Sequence, residues 1–91
     1  MRIICSETRD HIQISHFELD QKFMIKYEKG HLEITFKFRK SEKLNSPASL
    51  KQLDVNHFFE IAKLKLEELQ SLRRESLEKY YSDDFEFETI I

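Results

Sequence analysis

The chain contains a single glycine, Gly30, and it lies between two runs in which apolar and polar residues alternate. No other feature constrains the fold as much. A residue without Cβ takes positive φ at little steric cost, which is what a tight hairpin turn requires. With Lys29 and Gly30 as the two loop residues, Tyr27 is expected opposite Leu32, Ile25 opposite Ile34, and Phe23 opposite Phe36. All six then share one face, and a one-residue slip would turn the whole set toward water. The other face carries Lys22, Met24, Lys26 and Glu28 on one strand and Glu33, Thr35, Lys37 and Arg39 on the other. In this register Lys26 faces Glu33, and Lys22 faces Lys37.

Upstream, Ile12-Gln13-Ile14 alternates again and predicts a third strand over 10–16 that meanders into the hairpin over 22–39. Phe17 and Leu19 share the odd parity of Phe23 and are expected to continue its face. Met1 to Cys5 is a candidate for a further short strand. No internal repeat is evident.

Downstream, Ser46-Pro47 has the form of an N-cap followed by proline at the first helical position, opening a short helical turn that ends at Leu53. Asp54 is then a second N-cap candidate. Beyond it, Phe58, Ala62, Leu66, Leu69, Leu72, Leu77 and Tyr80 recur mostly every three or four residues, which predicts an amphipathic helix over 55–81. A helix of that length runs roughly 40 Å at 1.5 Å per residue. A seven-residue strand spans only about 23 Å, so the sheet cannot cover the helix. Either the helix breaks near Ser71 or Ser76, or its far half packs on another chain. The second is preferred, because Leu69, Leu72, Leu77, Tyr80 and Tyr81 continue the apolar pattern. The tail over 82–91 alternates Phe85, Phe87 and Ile91 with acids and is expected to act as an edge strand, on its own sheet or on a partner's.

A chain of 91 residues is expected to form one domain over 1–91 with one core. So short a chain buries only roughly 60% of its unfolded surface, which makes self-association plausible as a supplement. The formal net charge of −2 gives no global basic field toward nucleic acid or an anionic membrane. Charge is nonetheless segregated. Residues 22–43 hold seven Lys or Arg against three Glu, whereas 82–91 hold Asp83, Asp84, Glu86, Glu88 and no base. Cys5 is the lone cysteine, so an internal disulfide is impossible and a four-cysteine zinc site needs more than one chain. The N-terminus turns polar after Cys5, without the apolar run of a signal peptide or membrane span. A cytoplasmic, reducing location with no membrane association is expected.

Candidate chemistry is sparse. His11 and His16 are five apart, which puts them on opposite faces of a strand, and no His pair has ligand spacing, so no metal site is expected. Cys5 would need a base or a positive field to become a nucleophile. One glycine supplies neither a nucleophile turn nor a phosphate-cradling loop. Glu67-Glu68 and Asp83-Asp84 are adjacent and diverge as solvated surface. No catalytic residue, cofactor or small-molecule substrate is therefore expected.

These observations lead to an α+β fold, an antiparallel β-meander packed on one long C-terminal helix, serving as a non-enzymatic protein-interaction module. Its expected role is a small regulator or inhibitor of a larger protein, self-associating as a homodimer. The expected partner-binding residues are Leu69, Leu72, Leu77, Tyr80 and Tyr81 on the helix, and Phe85, Phe87 and Ile91 in the tail. The alternative is nucleic-acid binding through Lys22, Lys26, Lys37, Arg39 and Lys40 on the outer hairpin face. Against it, Phe23, Tyr27, Phe36 and Phe38 are expected to point inward, leaving no platform for stacked bases.

Overall fold

A computed structural model describes the backbone of residues 1–90 and the side chains through Ser82. Four eight-residue strands, β1 (Arg2–Arg9), β2 (Ile12–Leu19), β3 (Lys22–Lys29) and β4 (Leu32–Arg39), form one antiparallel meander in the order β1-β2-β3-β4. Two-residue loops join them: Asp10-His11, Asp20-Gln21 and Gly30-His31. Positive φ occurs in each loop, at 51° for Asp10, 66° for His11, 49° for Asp20 and 61° for Gly30. Asp and His tolerate this region better than most L-residues. The turns therefore repeat every ten residues, a period that shows in backbone geometry and not in residue identity.

The sheet has four strands where three were expected, since the N-terminal segment is a full strand and the third strand covers 12–19, not 10–16. The β3–β4 turn is Gly30-His31, one residue later than expected, so Phe23 pairs with Phe38, Ile25 with Phe36 and Tyr27 with Ile34. The shift moves each β3 residue to a partner two residues further along β4, so every side chain keeps its face. It does change the outer pairs. Lys26 faces Thr35, and its ammonium lies 3.4 Å from Glu28 of its own strand; Lys22 faces Arg39. Phe17 and Leu19 lie on the outer face, against Met24 and Lys22, because the two-residue turn at Asp20 gives residues 19 and 22 a common side. The even residues Ile12, Ile14 and His16 fill the inner one.

Ser46 opens the helical segment. Its hydroxyl accepts from the Ser49 amide at 3.2 Å, while the Ser46 amide donates to the Ser49 hydroxyl at 3.1 Å, and Pro47 occupies the first turn. Helix α1 (Pro47–Leu53) continues through a π-helical turn (Asp54–Phe58) directly into α2 (Phe59–Ile90). Asp54 is thus not an N-cap, since the helical path passes through it without interruption, nor does the helix break at Ser71 or Ser76. The expected tail strand over 82–91, with Phe85, Phe87 and Ile91, is not formed, because the helical backbone of α2 continues through Ile90; the side chains from 83 onward lie outside the described residues.

The core lies between the inner sheet face and one helical stripe. Ile12, Ile14, Phe23, Ile25 and Tyr27 pack against Leu50, Phe59, Ala62 and Leu66. Phe36 and Phe38 close its β4 side around Phe58, with ring centroids 4.8 and 5.1 Å away. Each fully buried Leu, Ile or Phe contributes about 1.5–3 kcal/mol relative to exposure.

Candidate functional site

The inner face of the sheet carries a polar cluster that fixes how the helix sits. Asp54 is fully buried; its Oδ1 accepts from the Tyr27 hydroxyl at 2.5 Å, and its Oδ2 accepts from His16 Nε2 at 2.9 Å and from the Arg9 guanidinium. An ionised carboxylate only accepts, so His16 carries a proton on Nε2. Strands β1, β2 and β3 each supply one donor to a single helical acceptor. The π-turn begins at this residue, with the Phe59 amide bonded to the Asp54 carbonyl. The wider turn accommodates the carboxylate among its three partners without ending the helix.

The cluster extends toward solvent through alternating charges. The Arg9 guanidinium stacks 4.6 Å from the Phe59 ring centroid and lies 3.2 Å from Glu7, which also accepts from Lys51 of α1. Burial alone would raise the Asp54 pKa, but the hydrogen bonds from His16, Tyr27 and Arg9 outweigh it and hold the carboxyl below its ordinary value. Burial and the adjacent carboxylate push the Tyr27 phenol well above its ordinary value, so it stays a neutral donor. Glu7 is held low, chiefly by the Lys51 hydrogen bond. His16, Tyr27 and Asp54 are all groups that transfer protons in other settings. Here each is at most 1% exposed, so the arrangement serves as a clamp between sheet and helix.

A second feature is the length of α2. Lys63 pairs with Asp10 in the β1–β2 turn at 3.2 Å, so the helix passes the end of the sheet that carries the turns at Asp10 and Gly30. Among the described residues Leu66 is the last that is buried, and every residue from Glu67 to Ser82 is exposed. The structure places the expected helix residues on this overhang, with exposures of 36% for Leu69, 57% for Leu72, 37% for Leu77, 59% for Tyr80 and 61% for Tyr81. They do not form one row. At 3.6 residues per turn, Leu69, Leu77 and Tyr80 prolong the stripe of Ala62 and Leu66, whereas Leu72 lies to one side of it, in line with the exposed Ile61.

The third feature is the outer sheet face. Lys22, Lys26, Lys37 and Arg39 lie there together, but Lys40 does not: its ammonium pairs with Glu18 at 2.7 Å and sits 5.0 Å from the Phe23 ring centroid. Phe23, Tyr27, Phe36 and Phe38 belong to the core or pack against it, away from this face. Its one ring, Phe17, is buried beneath neighbours, with the Lys26 ammonium 5.7 Å from its centroid. Met1, Ile3 and Leu19 are exposed, and Met1, Leu19, Met24, Lys22 and Lys37 line a small pit.

Arg9, His16, Tyr27 and Asp54 form no motif in sequence, yet one signal pointed to them. Leu50, Asp54, Phe58, Ala62 and Leu66 recur every fourth residue, so Asp54 is an acid on the core stripe and demands buried donors. Among the described residues no three His, Cys, Asp or Glu side chains gather to hold a metal, and no helix is long and apolar enough to cross a membrane. Compared with protein-family models, curated proteins and solved structures, the chain matches none.

Proposed function

We propose that the chain is a non-enzymatic protein-interaction module that works as a homodimer, with the α2 overhang as its interface. The observation that carries this reading is the run from Glu67 to Ser82, all exposed, with apolar residues that prolong the core stripe. Helices in proteins draw most of their stability from packing one face. This overhang, roughly 24 Å long at 1.5 Å per residue, has no face packed by its own chain. A second copy offers the matching stripe, and twofold symmetry would bring Leu69, Leu77 and Tyr80 of both copies together. Arg73 interrupts the stripe. The free end of such a dimer would be available to a larger partner, the setting in which a small regulator or inhibitor acts.

Sedimentation equilibrium tests this. The chain has a mass of 11.1 kDa, and the expected species is twice that, insensitive to moderate salt. Leu77→Asp should return it to monomer with little change in secondary structure, because Leu77 touches none of the core. A wild-type chain that stays monomeric at all accessible concentrations refutes the reading.

A further inference from the structure

Strand β4 ends the sheet, and its free edge is regular. Its register with β3 runs unbroken from Leu32 to Arg39, whereas β1, the other edge, is interrupted between Ile3 and Cys5. Bulges and prolines commonly blunt an edge, and β4 has neither. The Lys40 amide donates to the Gln21 carbonyl at 2.8 Å, which fixes the phase of the ladder. The even residues of β4 therefore bond to β3, and the backbone groups of Glu33, Thr35, Lys37 and Arg39 point away from the sheet. No backbone group among the described residues bonds to them. The charges on this edge are arranged about Phe36. Glu33 lies across from Glu28 at one end of the hairpin, and Arg39 lies across from Lys22 at the other. Lys26 is 3.4 Å from Glu28, but neither Glu33 nor Arg39 has an ion-pair partner among the described residues.

We infer that the β4 edge pairs with β4 of a second copy, antiparallel and about a twofold axis at Phe36. In that register Glu33 meets the partner's Arg39 and Thr35 meets the partner's Lys37. Both are hydrogen-bonded pairs, because all four residues turn their amides and carbonyls outward. On the inner face Ile34 meets the partner's Phe38, and Phe36 meets the partner's Phe36; all three side chains are only half-buried while the edge is open. Each like-charge pair of the hairpin gains the opposite charge, Arg39 arriving beside Glu28 and Glu33, and Glu33 arriving beside Lys22 and Arg39. Pairing centred on Lys37 would set two lysines across from each other, and pairing centred on Thr35 would leave Arg39 without an acid. Charges that keep other strands away thus select this one. Antiparallel pairing sends the two α2 overhangs out at opposite ends, so the edge is separate from the overhang interface and joins overhang dimers to one another. It is the weaker contact, since a single strand buries less than the roughly 1,200–2,000 Å² of a standard stable interface. At low-micromolar concentration the edge stays open.

Amide exchange by NMR tests this on the full-length chain carrying Leu77→Asp, which removes the overhang interface, as concentration is raised into the millimolar range. The amides of Glu33, Thr35, Lys37 and Arg39 are expected to gain about ten-fold protection, while those of Ile34, Phe36 and Phe38 stay slow throughout. Glu33→Arg in the same chain puts opposite charges across the hairpin and so spares the fold, yet it sets Arg against Arg between copies. It should weaken association in sedimentation about ten-fold, and adding Arg39→Glu should restore it. Thr35→Pro removes an amide that bonds to nothing in its own sheet and should abolish association in a chain that circular dichroism shows to be folded. Edge amides that exchange equally fast at every concentration, edge amides already protected at the lowest one, association that survives Thr35→Pro, or a Glu33→Arg loss that Arg39→Glu does not restore overturns the inference. Sedimentation of the wild-type chain at low-micromolar concentration reports on the overhang separately. A monomer there whose edge still pairs at high concentration would refute the helix interface alone, and a dimer whose edge amides never gain protection would refute the edge pairing alone.

Discussion

Replacing Asp54 by alanine removes the acceptor that three strands share. The Tyr27 hydroxyl, His16 Nε2 and the Arg9 guanidinium then lose their common partner in the interior. Breaking a buried ion pair from one side costs about 3–5 kcal/mol. Arg9 keeps Glu7 and some solvent exposure, so a value near the lower limit is expected. A chain of this size has a total stability of about 5–14 kcal/mol, so Asp54→Ala should forfeit a large part of it. With a urea m-value of about 1.5 kcal/mol/M, the midpoint falls by about 2 M. Asp54→Asn keeps the shape and one acceptor oxygen while giving up the charge, and should lose about half as much. Tyr27→Phe should lose about 1–2 kcal/mol. The double variant Asp54→Ala with Tyr27→Phe should lose clearly less than the sum of the two, because both single changes break the same bond. Urea unfolding monitored by circular dichroism gives all four values. A midpoint for Asp54→Ala within about 0.5 M of wild type, or strict additivity in the double variant, would refute the assignment of Asp54 as the clamp.

The same cluster predicts a pH dependence. The folded pKa of Asp54 lies below its unfolded value, so its contribution is present in full above the ordinary carboxylate range and is lost as pH falls through the folded value. Wild-type stability should decline on acidification below about pH 4, with a shallower decline in Asp54→Asn, and equal slopes would contradict this. Leu66→Ala empties a fully buried site and should destabilise by about 2–5 kcal/mol in urea unfolding. At Gly30 an added Cβ meets nothing within 4 Å, so Gly30→Ala is penalised by its φ of +61° alone and should lose about 1–2 kcal/mol. His11, at φ 66°, is the converse, and His11→Gly should be neutral or raise the thermal midpoint slightly.

Much of the architecture was legible because the cues were periodic. The alternation from Phe23 to Phe38 placed those side chains on the inner face even though the turn is one residue later than expected, since a shift of two in pairing preserves parity. The four-residue spacing of Phe58, Ala62 and Leu66 likewise marked the helical face that meets the sheet. The first strand was less legible. Arg2 to Arg9 mixes polar residues with a register irregularity between Ile3 and Cys5, which breaks its alternation, and the turns at Asp10 and Asp20 use non-glycine residues at positive φ. Phe17 was misplaced for the same reason, because its face depends on a turn that carries no glycine signal. The clamp was illegible except for the acid at position 54, since its donors come from three strands whose side-chain contacts depend on the packed sheet. On the overhang, the expected residues were found exposed, but only the helical angle separates Leu69, Leu77 and Tyr80 from Leu72.

Amide hydrogen exchange over residues 67–82, followed by mass spectrometry as protein concentration is raised, tests the central claim most directly. If a second copy covers the overhang, these amides gain protection with concentration in the wild-type chain and remain fast in Leu77→Asp, while the amides of β2 and β3 stay slow in both. Exchange over 67–82 that is equally fast at every concentration, and equal in the two chains, would contradict the claim.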